Sequence, residues 1–198
     1  KLKEGFLIPI IKGWSTELAQ EVTSNGLQIH GGMGFIEETG AAQFMRDARI
    51  LPIYEGTNAI QANDFMFRKT LRDNGKTAKE FLEEIKVDCA QNQEMSNMIT
   101  IASNTLDFIL ENRDNPEMLS CICFDYLMGF GYLVGGWLMH KGKEKAKLKL
   151  SEKDQNENFL KSKIISAEFF DFHILPRVES HFKIVTKGAT VVQLTGDS

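Results

Sequence analysis

The residues best suited to chemistry fall in three segments between positions 28 and 58. One is Tyr54-Glu55-Gly56-Thr57-Asn58, where a carboxylate stands directly before a glycine and a helix-capping pair. Glu55 has no acidic neighbour within five residues on either side. If Ile53 and Tyr54 wall it off from water, desolvation favours its neutral form and moves it toward the range useful to a general base. On its own, the same residue also reads as a glutamate facing the start of a helix. The second segment, Gln28-Ile29-His30-Gly31-Gly32-Met33-Gly34-Phe35, carries glycines that permit positive φ and close approach of backbone to a ligand. It is not a dinucleotide fingerprint, because the spacing is not GxGxxG and no strand precedes it, and it also reads as a tight interhelix turn. The third, Arg46-Asp47-Ala48-Arg49, reads as a structural ion-pair cluster.

The elements that must position these residues are helical. Leu7, Ile11, Trp14, Leu18 and Val22 recur at three- and four-residue steps. Pro9 suits the first turn of that helix and Asn25-Gly26 its end. The next thirty residues are glycine-rich and irregular, with one short helix over about 40–46. A long helix is predicted over 58–72, with Asn58 and Gln61 as a capping box and Asn74-Gly75 as its stop. Thr77 and Glu80 form a second capping box, opening a helix that carries Phe81, Leu82, Ile85 and Cys89. Met95, Met98, Ala102, Leu106 and Ile109 stripe the next, and Asn115-Pro116 starts another. Glycines 129, 131, 135 and 136 lie in an apolar helical run, where small residues let a second helix approach. Lysines between 141 and 149 lead to a polar stretch over 151–158, the pattern of a solvated linker. Phe159, Leu160, Ile164, Ala167, Phe170 and Ile174 mark the last long helix, which Pro176 kinks or ends. Only Ala189-Thr190-Val191-Val192 shows strand-like composition. The fold class is therefore all-α, two packed helical bundles with a boundary near 74–77, that is, residues 1–75 and 76–198.

Composition narrows the function classes. The 198 residues are 42% hydrophobic and 25% charged, with net charge −4, an ordinary globular balance without a basic field for nucleic acid. Cys89, Cys121 and Cys123 form no CxxC pair and read as reduced, buried thiols of a cytoplasmic protein. His30, His140, His173 and His181 share no metal-ligand spacing, so no metal site is expected. The apolar run over 126–139 is too short to span a bilayer, and no secretory signal opens the chain.

The three segments in their order and spacing resemble the C-terminal part of the acyl-CoA dehydrogenase family. The match is carried by Gln28-Ile29-His30-Gly31-Gly32-x-Gly34-Phe35, then Arg46-Asp47-Ala48-Arg49-Ile50, then Ile53-Tyr54-Glu55-Gly56-Thr57-Asn58-x-Ile60-Gln61. The wording from Gly34 to Gln43 is similar to a branch that acts on varied acyl chains and includes 3-methylmercaptopropionyl-CoA dehydrogenases. That branch carries an extra C-terminal helical domain, which residues from about 77 onward resemble. The resemblance implies an FAD-dependent α,β-dehydrogenation of an acyl-CoA thioester. Glu55 falls on the catalytic base, and Tyr54 and Gly56 on the substrate side. Gln28, Ile29, His30, Gly31 and Gly32 fall on contacts to the ADP part of a neighbouring subunit's FAD. Thr57, Asn58 and Ala59 fall at the flavin itself. The Arg46–Asp47–Arg49 cluster stays structural. A homodimer or homotetramer that passes electrons to an electron-transferring flavoprotein is implied, with no nucleic acid and no membrane span. An acyl-CoA oxidase of the same fold and a non-catalytic helical module are the alternatives. The family's β-rich middle domain, N-terminal helices and two helices of the C-terminal bundle have no counterpart here. The chain by itself is thus expected neither to hold FAD tightly nor to turn over.

Overall fold

A computed structural model describes residues 2–152 and 156–188, and every regular element in it is helical. The order is α1 (Leu2–Ile29), α2 (Gly32–Phe35), α3 (Ala41–Arg49), α4 (Asn58–Asn63), α5 (Lys76–Asp88), α6 (Gln93–Glu111), α7 (Pro116–Ser151), α8 (Glu157–Phe169) and α9 (Arg177–Lys183). Three of them widen into π-helical turns: α4 over Asp64–Leu71, α8 over Phe170–Ile174 and α9 over Ile184–Gly188. The all-α expectation holds. The strand-like tail from Ala189 to Val192 lies outside the described residues.

α7 is the central element. It is 36 residues long, well beyond the short apolar run read from the sequence, and its apolar window is 78% buried. That hydrophobicity is accounted for by burial among the other helices, as in the core helix of a globular bundle. Asn115 caps it, its side chain accepting from Met118 N at 3.1 Å with Pro116 in the first turn. Its glycines are where neighbours press in. A side chain at Gly131 would run into the Trp14 indole of α1, and one at Gly129 into Phe182 of α9. An aromatic cluster joins both halves of the chain: Phe6 packs on Phe65, Phe81 and Phe130, with centroids 4.9, 5.7 and 5.8 Å away. One contiguous apolar core therefore runs through residues on both sides of position 75.

Several local signals resolve differently from their sequence reading. Pro9 sits inside α1, not in its first turn, and Asn25-Gly26 does not stop the helix. The stop comes five residues later, at Gly31, whose φ of +59° ends the ladder as the His30 and Gly31 amides close the last turn. Thr57, not Asn58, caps α4, accepting from Ile60 N at 3.4 Å. Left-handed Gly75 precedes α5, and the Thr77 hydroxyl turns back to Asp73 instead of capping. α7 runs on through the lysines to Ser151 and α8 begins at Glu157, so the expected linker over 151–158 falls between these two helices, with residues 153–155 outside the described ones. Before Pro176 the helix opens to an i→i−5 bond, Leu175 N to Phe170 O at 2.8 Å, and α9 then restarts. Cys89 and Cys123 are buried as expected, whereas Cys121 is exposed.

Candidate active site

The segment around Glu55 is a short irregular loop between α3 and α4, held at three points. Asn58 N donates to Pro52 O at 3.1 Å, and Tyr54 N to Ile50 O at 3.1 Å. The third hold comes from α1, where Lys12 Nζ donates to Gly56 O at 2.8 Å and to Asn58 Oδ1 at 3.0 Å. Between these anchors the backbone passes through two consecutive left-handed residues, Glu55 at φ +53° and Gly56 at φ +85°. Glycine adopts that conformation freely, whereas for a glutamate it is uncommon and persists only where the surroundings impose it. The Glu55 side chain is exposed, and Ile53 and Tyr54 are themselves about half exposed, so these two residues do not wall it off from water.

Asn58 is the hub beneath this loop. It is only 4% exposed. Its amide nitrogen donates to Gly13 O at 3.3 Å, Thr16 Oγ1 at 2.9 Å and Glu17 Oε1 at 2.8 Å, while its oxygen accepts from Lys12. The Asn58 side chain is thus fully engaged by a single turn of α1, which leaves its exposed neighbours Thr57 and Ala59 at the surface of the helix start. That α1 turn is in turn backed by α7: a Cβ on Gly13 would stand 2.8 Å from Leu127 Cδ2. Lys12, Thr16 and Glu17 were not among the residues singled out from the sequence. The available signal was that Lys12 is the one charged residue between Glu4 and Glu17, inside an otherwise apolar run.

Gln28, Ile29, His30, Gly31 and Gly32 gather at the C-terminal end of α1 and the turn after it, all exposed. Lys12 and Gln28 are 16 residues apart on one unbroken helix, about 24 Å at 1.5 Å per residue. The fold therefore does not bring this group to the Glu55 loop. The glycines here differ in their reasons. Gly34 packs, since a Cβ would overlap the backbone of Leu27 and stand 2.8 Å from His30 Cβ, and Gly31 is needed for its positive φ. Gly32 has an ordinary φ, and nothing stands within 4 Å of where its Cβ would be. The chain's own packing gives no reason for glycine there, and the open space suits a group approaching from outside. An apolar cleft of about 250 Å³ adjoins this end, lined by Val22, Leu27, His30 and Phe44 among others.

The arginine cluster is not internally paired. Arg46 makes a two-pronged bridge to Glu37, at 2.8 and 3.0 Å, which ties α3 to the turn before it, and Asp47 accepts from Gln43. The expected ion pairs within the cluster are thus replaced by partners outside it. A larger cleft, about 560 Å³, lies far along the chain from Glu55, between the α5–α6 turn, α7 and α8, and contains Asn92, His140, Lys143 and Asp171.

Residues 2–68 match the family description "Acyl-CoA dehydrogenase, C-terminal domain", and residues 69–195 match "Acetyl-CoA dehydrogenase C-terminal like". The chain is 42% identical to 3-methylmercaptopropionyl-CoA dehydrogenase of Ruegeria pomeroyi, over 98% of its own length and 34% of that protein's. It is 31% identical to a butyryl-CoA dehydrogenase of Syntrophomonas wolfei, over 86% of the chain and 30% of the relative. With a broad-specificity linear acyl-CoA dehydrogenase of Mycobacterium tuberculosis the identity is 28%, over 90% of the chain and 32% of the relative. The chain thus spans about a third of the length of these relatives. Matched over nearly its whole length by these two descriptions, and with only helices as regular elements among its described residues, the chain belongs to the acyl-CoA dehydrogenase family and corresponds to its C-terminal helical region.

Proposed function

We propose that this chain supplies the catalytic base of an FAD-dependent enzyme that dehydrogenates an acyl-CoA thioester across its α and β carbons. The observation that carries the proposal is the pinned left-handed pair Glu55-Gly56, which presents a carboxylate outward from a backbone fixed on both sides. The Glu55 carboxylate accepts the α-proton. The loop's backbone N–H groups polarise the thioester carbonyl, so that negative charge developing on its oxygen is stabilised. Gly56 offers no side chain on the face where the thioester lies, and Tyr54 borders the acyl group. FAD, when bound, supplies the acceptor for the β-hydride.

The exposed residues beside the middle of α1 and those at its C-terminal end fit that cofactor in two separate places. Thr57 and Ala59, with the backbone of Asn58, adjoin the flavin that serves Glu55. Gln28, Ile29, His30, Gly31 and Gly32, about 24 Å away along the helix, serve the ADP part of a different FAD, held by a neighbouring subunit. A homodimer or homotetramer follows, with an electron-transferring flavoprotein as the electron acceptor and a cytoplasmic location. Residues 76–198 form the additional bundle of the branch. The chain alone neither retains FAD nor turns over, because Ile53, Tyr54 and Ile60 beside the Glu55 loop, and Ile29, Met33, Phe35 and Phe44 beside Gln28 to Gly32, stand exposed where the rest of an enzyme would cover them.

The test is Glu55→Gln in the full-length protein, which keeps size and hydrogen bonding but removes the base. Activity with butyryl-CoA or 3-methylmercaptopropionyl-CoA should fall by at least about 100-fold while FAD stays bound. Unchanged turnover by the Gln variant would refute the role of Glu55.

A further inference from the structure

We infer that Lys12 is a positioning residue for the base, acting through the carbonyl of Gly56 and the side chain of Asn58; this rests on the assignment of Glu55 as the base. The two left-handed residues are the least self-sustaining part of the loop. Nothing in a glutamate's own preferences keeps it at φ +53°. Upstream the loop is tied to the α3 end through Pro52 and Ile50, both within the same short stretch of chain. Two connections tie the downstream side to the separate, rigid α1: the Asn58 side chain, through Gly13, Thr16 and Glu17, and the Lys12 ammonium, 2.8 Å from the Gly56 carbonyl oxygen, which holds the backbone beside Glu55 itself. That bond pins the Gly56–Thr57 peptide plane, which directly follows the left-handed pair, to α1, and so restricts how far Gly56, and with it the adjoining Glu55, can relax.

The rest of the constellation shows that Lys12 is committed to this contact. Its second bond is to Asn58 Oδ1, and the Asn58 amide is oriented by Thr16 and Glu17 so that its oxygen faces the ammonium. Among the described residues no carboxylate lies within 4.0 Å of Lys12 Nζ. The lysine is half-buried, and its cation is received by two neutral oxygens, one of them the backbone next to the base. A surface lysine with no task would extend into water. The Gly13–Leu127 contact beneath keeps this turn of α1 from shifting. Lys12 touches neither substrate nor cofactor in this reading and does not exchange a proton; it sets where the Glu55 carboxylate stands.

The experiment uses the full-length, FAD-loaded protein, with butyryl-CoA and its α-deuterated form, or the 3-methylmercaptopropionyl thioesters if those are turned over instead. Lys12→Met should lower kcat by about 10- to 100-fold, the effect of misplacing a reacting group by roughly an ångström. The α-deuterium isotope effect on kcat should rise as proton removal becomes limiting, with KM changed less than about threefold. FAD content and Tm should stay near wild type. Lys12→Arg, which can still donate to both oxygens, should recover most of the rate. If Lys12→Met does not fold, Lys12→Ala, likewise without a donor for the Gly56 carbonyl, replaces it. A kcat within about twofold of wild type and an unchanged isotope effect would overturn the inference. So would Met and Arg variants that lose rate only in proportion to lost FAD. Glu55→Gln is run alongside: if it is inactive while Lys12→Met is normal, the positioning role alone fails. If Glu55→Gln is fully active, the base assignment fails first.

Discussion

A methyl group added to α7 should have opposite effects at two of its glycines, and the sign follows from what each one faces. At Gly142 nothing lies within 4 Å of an added Cβ, and the position is exposed. Gly142→Ala should therefore realise only the helix-propensity gain, about 0.5–1 kcal/mol. At Gly131 the Cβ would stand 2.2 Å from Trp14 Cγ and 2.4 Å from two further atoms of the same residue. Carbon atoms in contact sit about 3.5–4.0 Å apart, so the indole or the helix would have to move by more than an ångström. Trp14 has little room to do so. Tyr132 stands edge-on to it at 5.7 Å, and Gly135 already lies under its far end, where a Cβ would be 3.0 Å from Cη2. Overpacking costs about 1–3 kcal/mol, and a clash with a wedged indole belongs at or above the top of that range. Set against a propensity gain of about 1 kcal/mol, Gly131→Ala should lose about 2 kcal/mol. For a chain of this size that is a fall in Tm of roughly 4–8 °C, while Gly142→Ala should rise by roughly 1–4 °C. Urea and thermal unfolding followed by circular dichroism measure both. A Gly131→Ala chain as stable as wild type would refute the packing argument, and a destabilised Gly142→Ala chain would refute the propensity argument.

Two further outcomes follow from buried titratable groups. Burial raises the Asp171 carboxyl above its ordinary value of 3.8, with Lys143 and the Asn92 side chain opposing in part, and its Oδ1 has no hydrogen-bond partner. A carboxyl raised in the folded state costs nothing below its unfolded value and progressively destabilises as pH climbs through the folded one. Asp171→Asn should therefore match wild type near pH 3 and gain on it toward pH 7, by about 1 kcal/mol, measured by urea unfolding at both pH values; a gain that is independent of pH would contradict this. Burial pushes the Cys89 thiol up to about 12 and Cys123 up to about 11, while Cys121 is exposed. A thiol reagent at pH 8 should thus label one cysteine quickly in the native chain, a phase lost in Cys121→Ser, and all three only after denaturation.

What the sequence disclosed and what it withheld divide along the range of the interactions. The stripes of α5 and α6, the Asn115-Pro116 start of α7 and the glycines that admit Trp14 and Phe182 depend on periodicity or on residues next to each other, and they were legible. The errors came where a side chain had a choice and a distant partner decided it. Asn58 is as good a cap as Thr57 by type, but Lys12, Thr16 and Glu17 from α1 claim its amide, and Thr57 is left to cap. Arg46 has Asp47 beside it yet reaches Glu37, because successive residues on a helix point apart. Asn25-Gly26 carries the composition of a stop, but neither residue turns left-handed, and the chain takes that conformation at Gly31. Of the candidate site, the identity of the segments was readable from their order. Their separation was not, since it depends on α1 running unbroken to Ile29.

The core that crosses position 75 bears on how the two halves of the chain cooperate. Were residues from 76 onward a separate bundle resting on the first, its contacts with α1 and α4 would be superficial. Instead Phe130 of α7 meets Phe6 and Phe65 edge-on, Tyr126 stacks on Phe65, Thr70 shares a hydrogen bond with Tyr126 at 3.3 Å, and Arg177 of α9 grips Glu21 of α1 in a two-pronged bridge. That bridge holds the Glu21 carboxyl below its ordinary range. Such contacts fix α1 along its length: Phe6 near its start, Gly13 and Trp14 at its middle, Glu21 toward its end. The middle is the turn that carries Lys12. A close-packed interface has little slack, and Trp14, wedged against α7, stands two residues from Lys12, whose ammonium holds the carbonyl beside Glu55. The later half of the chain is in this sense the foundation on which the geometry of the loop rests.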